Sequence, residues 1–139
     1  MLRITIFVLS ILFFGCKSEI TEENLTNLNG YWEIKSVTFN NGNTKDYKGS
    51  TTLDYIKIDK LSGFRKKVQP KFNGTYDTSN DAEMFTISQK EGTFVFHYKT
   101  KLSLWTEELI TLSKNEFSVK NEQEKIYKYQ RYTPINITK

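Results

Sequence analysis

The sequence predicts an all-β fold, an antiparallel up-and-down β-barrel of about eight strands set behind a leader and a short polar tether. Three observations predict it. From Gly30 onward apolar and polar residues alternate with a period of two, the repeat of a strand buried on one face. Turn-forming clusters, NNGN, KLSG, TSND, KEG, SKN and NEQ, punctuate that alternation. After residue 30 no segment carries a sustained helical period. A chain of 139 residues, 37% hydrophobic and 26% charged, fits one domain with a modest core.

The elements follow in order. Residues 1–15, MLRITIFVLSILFFG, carry one charge, Arg3, and then an apolar run from Ile4 to Phe14 broken by Thr5 and Ser10. A membrane-spanning helix needs roughly 20 apolar residues, so this run is too short to span and has the length of a secretory signal peptide. Residues 16–29 open on Cys16 and continue as a polar, acid-rich tether, with one helical turn capped by Thr21 and carrying Glu22 and Glu23. The barrel is predicted over residues 30–133, with strands near 31–39, 52–59, 64–77, 83–89, 93–101, 104–113, 116–121 and 124–132, and a tail at 134–139. Pro70 cannot donate to a ladder and Gly74 suggests a bend, so 64–77 is one bent strand or two short ones.

LFFGC places a small residue, Gly15, directly before Cys16, the only cysteine in the chain. This junction resembles the lipobox of bacterial lipoproteins. The resemblance implies cleavage before Cys16 and a diacylglyceryl group on its thiol, with further acyl chains of the palmitate kind. Each buried CH₂ contributes about 0.8 kcal/mol, so several chains hold a soluble domain on a membrane. The acidic residues after Cys16 resemble the signal that sends some lipoproteins to the outer membrane; a plain solvated linker is the other reading. Without Arg3 the formal net charge is about +3. The clusters RKKVQPK and KEKIYKYQR either favour acidic lipid headgroups or form solvated faces.

Gly30-Tyr31-Trp32 at the head of the first strand resembles the Gly-x-Trp signature of lipocalins, and YKYQRY supplies Arg131 late in the last strand. FNGTY and ITLSKNEFSV resemble stretches of short bacterial lipocalin-like domains. The resemblance implies that Arg131 lies across Trp32 and closes one end of the barrel, that a long first loop covers the other end, and that a small apolar or amphipathic ligand is bound there. Topology agrees independently on one point. With an even strand count, the first strand starts where the last one ends, so Trp32 and Arg131 meet. A guanidinium on an indole contributes roughly 0.5–2 kcal/mol.

Alternation then suggests an interior. Trp32, Ile34, Ser36 and Thr38 share a face, while Glu33 and Lys35 point out. Phe94, Phe96 and Tyr98 share a face, as do Tyr127, Tyr129 and Arg131. Glu108 shares parity with Ile110 and Leu112 and is either an inward carboxylate that orients a cationic or hydroxylated ligand or a rim charge. The candidate ligand-lining residues are therefore Ser36, Thr38, Phe96, Tyr98, Glu108, Tyr127 and Tyr129. An eight-stranded barrel is just wide enough to fill itself or to hold one small ligand.

Catalytic and cofactor chemistry has little to build on. The one histidine, His97, alternates with Phe96 and Tyr98 and is predicted to face solvent. With Cys16 lipidated, His/Cys metal clusters and Cys–His dyads are excluded. Glu107 and Glu108 are adjacent on a strand and cannot converge on one bond. No enzyme, metal or cofactor is expected. A five-stranded nucleic-acid-binding barrel is disfavoured by the strand count and by export, so no nucleic-acid partner is expected. Two readings remain: a membrane-anchored binder of a small ligand in the bacterial envelope, and a non-catalytic module that docks onto an envelope or outer-membrane protein complex.

Overall fold

The computed structural model describes residues 19–134. The expected signal peptide 1–15, the expected lipidation site Cys16 and all but the first residue of the expected 134–139 tail lie outside the described residues. Ten strands follow a short 3-10 helix (Glu23–Leu28): β1 (Gly30–Thr38), β2 (Thr44–Asp46), β3 (Leu53–Asp59), β4 (Ser62–Pro70), β5 (Tyr76–Thr78), β6 (Glu83–Lys90), β7 (Thr93–Lys99), β8 (Leu104–Leu112), β9 (Glu116–Asn121) and β10 (Ile126–Arg131). Eight of them run around the wall in the order β1-β3-β4-β6-β7-β8-β9-β10, and β10 pairs back to β1, so the sheet closes. Every pairing is antiparallel. Closure satisfies the backbone donors and acceptors that an open edge would expose.

The expected strand over 64–77 is two. β4 stops at Pro70, which sits opposite Tyr76 across a tight turn, and β5 returns along β4. β2 lies inside the long first connection and had no sequence signal, because its three residues are all exposed; it exists through pairing with Ser36–Thr38. On the outer surface Tyr76 stacks on Tyr31 at 4.2 Å, and Tyr31 leans on Tyr55 at 4.8 Å, which ties β5 to β1 and β3.

Short turns at 60–61, 91–92 and 113–115 gather at one end of the barrel, and the longer connections 39–52, 71–82, 100–103 and 122–125 gather at the other. The short-turn end is closed from below. In the stretch read as a tether, Leu25 and Leu28 are 1% and 0% exposed and pack beneath Trp32 as part of the core. Thr21 does not cap this turn with its hydroxyl. Its N–H and Oγ1 both donate to Asn24 Oδ1, so Asn24 is the residue that fixes the turn. Above the helix the lower half of the barrel is filled with aromatic rings. Trp32 meets Phe117 edge-on at 4.7 Å, and Phe85 meets Phe96 at 5.1 Å in the same T-shaped manner. Gly63 makes room for this packing, since a Cβ there would run into the Lys57 carbonyl oxygen and the Phe85 ring.

Candidate functional site

The two ends of the barrel hold different chemistry. At the closed end Trp32 is fully buried, and its Nε1 donates to the Leu28 carbonyl at 2.8 Å. Arg131 sits opposite Trp32 in register, with its guanidinium carbon 4.2 Å from the centroid of the indole ring system. Its Nε donates to Lys114 O at 2.7 Å, one terminal nitrogen to Asn29 O at 2.9 Å and the other to Asn27 O at 2.6 Å. Those carbonyls come from the helix end and the β8–β9 turn, so one side chain fastens helix, first strand and last strand together. Burial lowers the Arg131 pKa. Gly30 has φ +124°, and a Cβ there would meet the Arg131 guanidinium at 2.6 Å, which explains the glycine of the Gly-Tyr-Trp sequence.

The open end is a polar basin of about 300 Å³, lined by Arg65, Lys67, Trp105, Glu107, Asn121, Tyr127 and Tyr129. They come from β4, β8, β9 and β10, and Glu107 and Asn121 stand opposite each other in register. Arg65 is its centre. Its terminal nitrogens reach Glu83 at 3.2 Å and Glu107 at 3.4 Å, and its guanidinium carbon lies 4.6 Å from the centre of the Tyr98 ring. Arg65 Nε is buried with no hydrogen-bond partner. Lys67 Nζ approaches Asp54 Oδ1 at 2.6 Å as an ion pair, with the Asp54 side chain 5% exposed. Tyr98 stacks on Trp105, its cross-strand partner, at 5.0 Å.

Burial and its neighbours perturb this cluster. Burial raises the Glu107 pKa, Arg65 opposes that shift, and the carboxylates of Glu83 and Asp54 add to it. Burial alone would lower the Arg65 pKa, but Tyr98, Glu107, Tyr129 and Asp54 raise it, so the guanidinium stays charged. Burial also raises the phenols of Tyr98 and Tyr129, which remain protonated donors.

The sequence-predicted lining divides. Tyr127 and Tyr129 line the basin, Tyr98 does not line it but packs against Arg65 and Trp105, and Phe96 is in the packed core. Ser36 and Thr38 face outward. A bulge between Ile34 and Ser36 inserts Lys35, after which Val37 takes the inward place opposite Tyr127, and Thr38 bonds Thr44 on the outer surface. Glu108 also faces outward, where it meets Lys120 at 3.2 Å. A second bulge, between Leu109 and Thr111, inverts the parity counted back from Leu112 and puts Glu107 inside instead. The two glutamates do face opposite sides. His97 is exposed and bonded to Ser88 at 2.7 Å.

Arg65, Lys67, Trp105, Glu107 and Asn121 had no sequence signal as a site. In β4 the apolar residues Phe64 and Val68 face outward together with Lys66, while Arg65 and Lys67 face inward, so the usual apolar-in pattern is missing.

No family model matches the chain, and no curated protein matches it. Among solved structures it is similar to a lipocalin-like protein from Bacteroides uniformis, at 12% identity over 76% of this chain and 99% of that one, with a TM-score of 0.47. The lipocalin-like character of the fold stands on the chain's own geometry: a closed eight-stranded antiparallel wall sealed at one end by Trp32 and Arg131.

Proposed function

We propose that this chain is a non-catalytic lipoprotein of the bacterial outer membrane, held there by acyl chains on Cys16, whose barrel binds a small amphipathic molecule at its open end. The observation that carries the reading is the basin itself: about 300 Å³, with a buried Arg65 Nε that has no acceptor. A buried donor without a partner costs roughly 1–3 kcal/mol, and a ligand oxygen placed there removes that cost. Trp105, Tyr127 and Tyr129 supply apolar wall, while Arg65, Lys67 and Glu107 supply charge. A wholly apolar ligand would desolvate those charges without replacing their hydrogen bonds, so the chemistry favours a molecule with a polar head and a flat or short apolar body. The volume suits a small molecule rather than a long acyl chain.

Trp105 reports on the basin. A small-molecule extract of the source envelope, added to the protein, should change tryptophan emission saturably, and the Trp105→Phe variant should lose that response. An extract that leaves the wild-type emission unchanged would count against the reading. For the anchor, Cys16→Ser should leave the barrel folded by circular dichroism but move it from the membrane pellet to the soluble fraction. Continued pelleting would mean that the acyl group is not what holds it.

A further inference from the structure

We propose that the outer wall formed by β4, β6 and β7, with the start of β8, lies against an anionic lipid surface. That wall carries a hollow of about 590 Å³, lined on its apolar side by Phe64, Met84 and Leu104. Met84 is 55% exposed, Leu104 75%, and Leu102 in the adjoining loop 95%. Of the seven large apolar side chains that stand exposed among the described residues, Leu61, Met84, Leu102 and Leu104 all fall on or beside this wall. An apolar patch of this kind on a monomer marks a contact surface.

Charge and chain position identify what it contacts. The residues of β3, β4, β6 and β7 that face outward include Lys57, Lys66, Lys90 and Lys99 and a single acid, Asp59. Lys101 extends the basic rim beside Leu102. Apolar side chains ringed by lysines match the interface of a bilayer with anionic headgroups. The described chain begins on the strand next to this wall. Ile20 packs against the core over the outer face of β8, with Gly92 and Thr93 of the β6–β7 turn on one side and Glu116 and Lys128 on the other. Cys16 is three residues before Glu19, a reach of about 11 Å at most. Insofar as Cys16 is acylated, which is the reading proposed above, the anchor leaves the barrel over the adjoining strand β8 and raises the effective concentration of the wall at the bilayer. The barrel then lies on its side, with its mouth at the edge of the interface.

The test uses acylated protein, its acyl mass confirmed, in vesicles of phosphatidylcholine and phosphatidylglycerol containing nitroxide-bearing lipid. A fluorophore is placed by Thr86→Cys on the wall or by Lys35→Cys on β1, opposite it in the closed sheet. Quenching at position 86 should exceed that at 35 several-fold. The double variant Lys57→Glu/Lys99→Glu should lower partition of the unacylated chain onto the same vesicles by about tenfold or more. Equal quenching at the two positions would overturn the proposal. So would protection of position 86 that grows with protein concentration without vesicles, which would assign the wall to a second copy, or a protein partner recovered on it. A chain recovered without acyl mass would sink the anchor alone, and flotation of that chain with anionic vesicles would still decide the wall.

Discussion

Arg131 donates from all three guanidinium nitrogens to backbone carbonyls while its plane covers Trp32. A lysine cannot reproduce that fork, so Arg131→Lys should cost about 1–3 kcal/mol by urea unfolding. Trp32→Ala should cost about 3–5 kcal/mol as a core truncation, and a loss below about 1 kcal/mol would mean the indole does not seal the barrel. Glu107 gives a pH signature. Its pKa is raised above 4.5 by burial, so the folded chain holds that proton more tightly than the unfolded chain does. Its contribution to stability is therefore full below about 4.5 and is lost as pH rises through the raised value. Glu107→Gln should gain on the wild type as pH climbs from about 4 to 7, read as the difference in urea midpoints. A difference independent of pH would contradict the burial. At this scale Gly30, Trp32 and Arg131 were legible because their roles follow from position at strand ends. Arg65 was not, because inward charge on β4 depends on partners that come from β6 and β8.

Two bulges decide which side chains reach the basin. Period-two counting places Trp32 and Ile34 correctly, and it fails beyond Lys35 and before Ile110, where an extra residue turns the strand over. Nothing in KSV or LIT announces a bulge, so Ser36 and Thr38 were assigned to the wrong face, and the inward alternative for Glu108 fails, for one shared reason. The turns carried clear signals, and the wall strands were found within a few residues of their true limits. A helical turn was expected in this stretch, but its packing into the core was masked by its polarity; only Leu25 and Leu28 of the helix are apolar, and both are buried. Leu28→Ala should cost about 2–5 kcal/mol, as a plug residue and not as part of a loose tether. Gly63→Ala should cost about 1–3 kcal/mol, since the Lys57 backbone and the Phe85 ring leave no space for a methyl group. A neutral outcome for either would show that the lower barrel is looser than its packing implies.

As a whole molecule the chain divides labour along the barrel axis. The closed end spends its aromatic residues on stability, and the open end keeps charge inside a wall that an apolar core would otherwise fill. This polarity gradient separates the domain from a barrel that is core throughout, and within the proposed ligand-binding reading it favours the amphipathic over the apolar of the two ligand kinds that the resemblance implies. Native mass spectrometry of the protein isolated from its own envelope, beside an Asn121→Trp variant that fills the basin, tests this most directly. The account predicts a small bound mass on the wild type that is missing from the variant. A wild-type barrel that flies empty, or a bound mass that Asn121→Trp leaves in place, would contradict it.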